Sequence, residues 1–204
     1  MRKVYLFLSM ILLGSALQAQ TYLGVHGGLH LNYLKSTDIP AGLTNNLYSN
    51  ALFGAFVQMQ AGKKMAIQPE LNFYRSKTER TTGNDQLQMN YVQVPVLLKF
   101  QGKSGLNLLV GPYVAFLSKA ENENFNGTVT DIKSSVANND FGAVGGLEYQ
   151  FKNGLVLGGR YVYGISEVLK VNSQTVYDSH HRAVQFTVGY MFGYHPKRKA
   201  KSNQ

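Results

Sequence analysis

The sequence predicts an all-β protein: an eight-stranded antiparallel up-and-down transmembrane β-barrel with short turns at one end and long loops at the other. Three observations predict it. Beyond residue 20 the dominant hydrophobic period is two, in eight segments of about ten residues. Short and long connections alternate strictly between those segments. Only 15% of the 204 residues are charged, against about 25% in an average domain, yet 44% are hydrophobic and mean hydropathy is only −0.16. Strands with one face toward lipid and one toward a lumen have this half-polar, charge-poor character.

The segments are taken in order. In 22–34, Leu23, Val25, Leu29, Leu31 and Tyr33 share one face, and Tyr22, His26, His30 and Asn32 the other. In 52–62, Phe53, Ala55, Val57 and Met59 oppose Phe56, Gln58 and Gln60. Residues 66–75 alternate most cleanly: Ile67, Pro69, Leu71 and Phe73 against Gln68, Glu70, Asn72 and Tyr74. In 91–100, Val92, Val94, Val96, Leu98 and Phe100 oppose Tyr91, Gln93, Pro95, Leu97 and Lys99. In 106–117, Leu106, Leu108, Val110, Pro112, Val114 and Phe116 oppose Asn107, Leu109, Tyr113 and Ala115. In 140–151, Phe141, Ala143, Leu147, Tyr149 and Phe151 oppose Asp140, Glu148 and Gln150. In 155–164, Leu155, Leu157, Tyr161 and Tyr163 oppose Gly158, Arg160 and Gly164. In 183–192, Val184, Phe186, Val188, Tyr190 and Phe192 oppose Gln185, Thr187 and Met191. Pro69, Pro95 and Pro112 lie inside these segments and remove ladder donors, so they are expected at bulges or irregular pairing. Gly145-Gly146 and Gly158-Gly159 have no helix after them and so are not phosphate loops. They are expected to let strands bend.

Tight connections fall at Gly62-Lys63-Lys64, at 101–105 and at Lys152-Asn153-Gly154, where Gly-Lys, Ser-Gly and Asn-Gly are hairpin-turn chemistry. Long polar connections run over about 35–50, 76–90, 118–139 and 165–182. One end of the meander is therefore made of turns and the other of loops, as in outer-membrane barrels. Lipid offers no hydrogen-bond partner to a sheet edge, and a closed barrel has none. About 9–11 tilted residues cross the membrane, and with eight strands side chains just fill the interior. Outward Phe and Tyr near strand ends suit interfacial girdles. An even strand count places both mature ends on the turn side.

Residues 1–20 read as an address. Arg2 and Lys3 precede the apolar run Val4–Leu13, and Ala16–Gln20 supplies a cleavage region, with Leu17 and Ala19 at the recognition positions. The expected organisation is a signal peptide over 1–19, a barrel domain over 20–194 and a basic periplasmic tail over 195–204. Of the net charge of +9, two units belong to Arg2 and Lys3 and four to Lys197, Arg198, Lys199 and Lys201, which leaves the body at +3. Basicity gathered in a tail does not suit nucleic-acid binding, which needs cations spread over a folded face. With no Cys, disulfides, iron–sulfur and thiolate-zinc sites, a Cys nucleophile and a lipoprotein anchor are all excluded.

At 68–75 (QPELNFYR), 91–99 (YVQVPVLLK), 111–113 (GPY) and 141–164 (FGAVGGLEYQFKNGLVLGGRYVYG) the chain resembles the PorT-like outer-membrane β-barrel proteins of the Bacteroidetes type. The signal ending at Ala19-Gln20 is similar too. The resemblance spans essentially the whole mature chain, and its motifs mark strands and turns rather than a reaction. It implies the barrel fold, the outer membrane and, through the founding member, a role in protein secretion. It supplies no catalytic residues.

Four charges fall on inward positions: Glu70, Lys99, Glu148 and Arg160. If Phe151 opposes Leu155, Glu148 opposes Gly158 and Arg160 is its diagonal neighbour, within reach of a long side chain. A lone buried charge is costly, so these four are expected to pair as a plug that fills the lumen; a selective polar path is the competing reading. His26 and His30 share a strand face but lie about 13 Å apart at about 3.3 Å per residue, too far to share a metal. Asp178, His180 and His181 are loop candidates for a weak metal or rim site, and with Ser166, Ser173 and Ser179 they are the residues a rim hydrolase would draw on. Neither a Gly-x-Ser-x-Gly motif nor a two-histidine metal helix motif occurs.

The sequence thus reads as a non-enzymatic outer-membrane barrel without cofactor, with a structural or interaction role, its partners being membrane lipid and, through turns and tail, periplasmic or secretion components. Two other classes remain: a lipid- or peptide-modifying rim enzyme, and a soluble exported lipocalin-like barrel. The last requires an apolar lumen and a polar exterior.

Overall fold

A computed structural model describes residues 20–36, 48–79, 86–123, 129–131, 139–167 and 179–194. The strands are β1 Thr21–Ser36, β2 Tyr48–Gln60, β3 Met65–Glu79, β4 Gln86–Gln101, β5 Leu106–Glu123, β6 Val129–Asp131, β7 Asn139–Gln150, β8 Leu155–Glu167 and β9 Ser179–Met191. There is no helix among the described residues. Eight strands form one antiparallel ring, β1–β2–β3–β4–β5–β7–β8–β9, closed by pairing of β9 with β1. The three-residue β6 pairs only with the far end of β5, at Glu121↔Asp131 and Glu123↔Val129. The expected signal peptide and the expected basic tail lie outside the described residues.

All eight expected segments are strands, and the strands run longer on the loop side than those segments. β3 and β4 stay paired from Arg75↔Asn90 to Glu79↔Gln86. On β3 the stretch Arg75–Glu79 carries no apolar residue by which a sequence could reveal it, whereas on β4 Leu87, Met89 and Tyr91 alternate with Gln88 and Asn90, a signal that was available.

Alternation sorts the side chains into two populations. Among the described residues, twenty-five large hydrophobic side chains are exposed, from 39% at Phe100 to 64% at Phe53 and Ile165. They form an outer belt of a kind that soluble monomers rarely present to water. The inward residues are buried, polar ones included: Gln58, Gln68, Gln93 and Lys99 are all 0% exposed. A polar exterior, which a lipocalin-like barrel requires, is not what the chain builds. Near the turn end Tyr149–Phe151 and Tyr190–Phe192 meet edge to face at 4.7 and 5.4 Å, in outward positions suited to an interfacial girdle.

The three tight turns fall where the sequence places them. Gly105 and Gly154 hold φ of 93° and 89°, which only glycine adopts readily. Of the two outcomes expected at the prolines, bulges or irregular pairing, Pro69 and Pro112 show the second. The β2–β3 ladder skips from Phe56↔Glu70 to Met59↔Ile67 around Pro69. The β4–β5 ladder skips from Pro95↔Tyr113 to Leu98↔Val110 around Pro112. In each case the register is the same on both sides of the gap, so missing donors open the ladder without shifting it. The bulge in β5 lies elsewhere, opposite Asn90 and Tyr91. There Ser118 and Lys119 are both exposed between buried Leu117 and Ala120, and the Ser118 hydroxyl donates to Asn90 O at 3.0 Å. Bulges concentrate at barrel rims, where they end or re-aim a ladder.

Candidate functional site

The lumen is stratified. Its middle layer is built from β3, β4, β7 and β8, which aim Glu70, Lys99, Glu148 and Arg160 at the axis; all four are at most 4% exposed. The register pairs Glu148 with Gly158, so Arg160 is the diagonal neighbour, and its Nη2 lies 3.4 Å from Glu148 Oε2. The closer partner is one that neighbour arithmetic does not reach. Arg160 Nη1 lies 2.6 Å from Glu70 Oε2, and β3 and β8 stand four strands apart whichever way the ring is followed. Lys99 pairs with Glu148. Its ammonium also donates to Gln58 Oε1 at 2.7 Å, Gln150 Oε1 at 3.0 Å and Gln68 Oε1 at 3.4 Å.

The network continues past the four charges. Gln68 and Asn72 donate to the Glu70 carboxylate at 2.9 and 3.1 Å, and Asn72 Oδ1 lies 2.8 Å from His26 Nε2. Two cations and two anions therefore share one hydrogen-bonded layer with no net charge. A low-dielectric interior tolerates such a group only when it is paired in this way.

Apolar layers cap it on both sides. Toward the turns, Phe56, Val156 and Met191 pack together with Tyr22 and Tyr194 against them. Toward the loops, Leu52, Tyr74, Met89, Tyr91, Leu97, Leu109, Tyr113 and their neighbours form a larger cluster. His30 stacks on Tyr74 at 4.1 Å, and Tyr74 on Tyr91 at 5.5 Å. Sequence pattern places these residues inward without showing that they segregate by height. His30 Nδ1 lies 3.1 Å from Gln185 Nε2, so the two strand-1 histidines serve separate lumen contacts.

The loop-side rim adds charges that sequence reasoning missed. Asp140, 5% exposed, accepts from the Tyr113 hydroxyl at 2.7 Å and the Ser166 hydroxyl at 2.5 Å. Arg182, 6% exposed, lies 3.6 Å from the Tyr163 ring centroid and donates to Gly164 O at 2.5 Å. Asp140 stands on the inward face of its segment, a signal that was available. Arg182 belongs to the part of β9 that precedes the apolar alternation. Asp178 and Ser173 lie outside the described residues. His180 and His181 pair along the backbone with Lys35 and Leu34.

The comparisons with known proteins agree with this architecture. A family model described as an outer membrane protein β-barrel domain matches residues 18–170. The match stops short of β9, the strand that closes the ring. No curated protein matches the sequence. Among solved structures, neisserial surface protein A is 11% identical with a TM-score of 0.56, over 82% of this chain and 96% of that one. Ail, the attachment invasion locus protein of Yersinia pestis, is 15% identical with a TM-score of 0.51, over 85% and 99%. At these identities the likeness is one of fold.

Proposed function

Because the chain belongs to the outer membrane protein β-barrel domain family, we propose that it works as a closed, non-conducting barrel with a structural or interaction role, and not as a channel or an enzyme. The observation that carries this reading is the Glu70–Arg160 bridge across the lumen, joined to Lys99–Glu148 and lying between two apolar layers. An ion on the axis would have to break paired buried charges and then cross packed tyrosines. Reconstitution in planar bilayers tests it: no steady conductance is expected, and large, long-lived openings would overturn it.

Against a rim hydrolase stands the occupation of Ser166. Its hydroxyl donates to Asp140 and accepts from Phe141 N at 2.9 Å, while the side chains of His26 and His30 are engaged inside the lumen. In this reading residues 1–19 are removed on export, the turns and both mature ends face the periplasm, and the loops face outward. The PorT-like resemblance makes secretion the process in which such an interaction would be sought, and a deletion strain that exports its proteins normally would remove that refinement.

A further inference from the structure

Charge is sorted by height along this barrel. None of the eleven acids falls in the turn segments 61–64, 102–105 or 151–154 or after Met191. Those three turns carry Lys63, Lys64, Lys103 and Lys152, all exposed. The opposite strand ends and the segments joining them hold eight cations and nine acids, and the polar lumen layer is balanced. The body's +3 therefore divides into a turn face of +4 and a loop face of −1.

The four lysines surround a cleft of about 740 Å³ at the turn end, whose lining includes Tyr149, Phe151 and Tyr194. Gln150 also lines it, and its Oε1 accepts from Lys99, so one arm of the polar network reaches the cleft beside the Phe56–Val156–Met191 cluster. The rim is tied down. The carbonyls of Lys64, Gly105 and Gly154 accept from the backbone N–H of Gln101, Gln150 and Met191, each at 2.8 Å. A held rim fixes the backbone from which the lysines project, which lowers the ordering cost of the turns on binding.

We propose that this cleft docks an acidic, extended peptide segment of a periplasmic protein. The inference rests on the interaction role and the orientation proposed above. Carboxylates of the segment meet the lysines, and its apolar side chains meet the three aromatic rings. The lining comes from the β2–β3, β4–β5 and β7–β8 turns and from Tyr194 beyond β9. The cleft thus crosses the turn end of the barrel, and of its lining only Tyr149 and Phe151 belong to the outward girdle that lipid headgroups surround. Lys197, Arg198, Lys199 and Lys201 give the chain's own tail the same sign of charge, so it offers the cleft lysines no counter-charge.

The test uses the full barrel in nanodiscs of zwitterionic lipid and a fluorescent peptide of alternating Glu and Tyr, read by anisotropy. Saturable binding that weakens between low salt and about 150 mM is expected. Combined Lys63→Gln, Lys64→Gln, Lys103→Gln and Lys152→Gln should weaken it roughly tenfold, the order set by four exposed charge pairs. Lys119→Gln, at the other rim, should leave it unchanged. Equal affinity in the quadruple variant overturns the proposal. So does absence of peptide binding with selective retention of phosphatidylglycerol from mixed-lipid nanodiscs, which would assign the lysines to a headgroup. The same preparations run unboiled and boiled on a denaturing gel and placed in planar bilayers report on the closed barrel separately, so failure of the cleft and failure of the barrel give different results.

Discussion

Glu70 on β3 and Arg160 on β8 meet at 2.6 Å from opposite walls of the ring. A contact of this kind does not stabilise one hairpin; it ties together two strands, β3 and β8, that no ladder bond joins directly. Arg160→Met leaves Glu70 buried without its cation and is expected to cost about 3–5 kcal/mol, the range for one broken partner of a buried pair. Glu70→Met with Arg160→Met should cost much less than the two single changes added together. Urea unfolding of the four proteins in detergent measures the coupling, and strict additivity would show that the bridge contributes nothing.

Gly145 and Gly146 are neighbours in sequence and opposites in structure. A Cβ on Gly145 would find nothing nearer than Leu109 O at 4.0 Å, whereas one on Gly146 would meet the Gly159 carbonyl and lie 2.8 Å from Arg160 Cα. Gly145→Ala is therefore expected to fold like the parent. Gly146→Ala should lower the temperature at which the folded gel band converts to the unfolded one, because backbone must move to admit the methyl group.

Phe56 seals the turn side of the polar layer, 2% exposed and stacked on His26 at 5.7 Å. Phe56→Ala opens a cavity beside Met191 and Val156 and is expected to cost about 3–5 kcal/mol, the usual range for a buried Phe. Phe53→Ala, on the lipid side at 64% exposure, should cost far less in the same urea series.

Sidedness is testable without a partner. In intact cells a membrane-impermeant amine reagent should modify Lys119, on the loop-side rim, and spare Lys63, Lys64, Lys103 and Lys152 until the outer membrane is permeabilised. Peptide mapping reads both sets, and turn lysines labelled in intact cells would reverse the orientation.

Much of the fold was legible because a strand has a period of two, and the lipid–lumen boundary writes that period directly into residue type. Eight segments and the inward positions of Glu70, Lys99, Glu148 and Arg160 follow from it, while the three turns and the Glu148–Gly158 register follow from turn residues such as Asn153-Gly154. What was not legible lies where this signal is absent. The loop-side end of β3, Arg75–Glu79, carries no apolar residue. β6 is three residues long. Arg182 precedes the alternation of its strand. The prolines could be recognised as missing donors, but that they leave the register intact depends on neighbours holding it from both sides.

By itself the sequence determined which face the residues of the eight alternating segments take, because alternation along a strand is a local property. Only the tertiary structure decided who meets whom across the lumen. The Glu70–Arg160 contact joins residues ninety positions apart through ring closure by β9, which no pairwise strand rule contains. Height is the other quantity the structure supplied. Closure and register set every inward side chain at a level along the axis, and at those levels the charges form one layer, the rings and aliphatic groups two others, and the lysines a basic mouth.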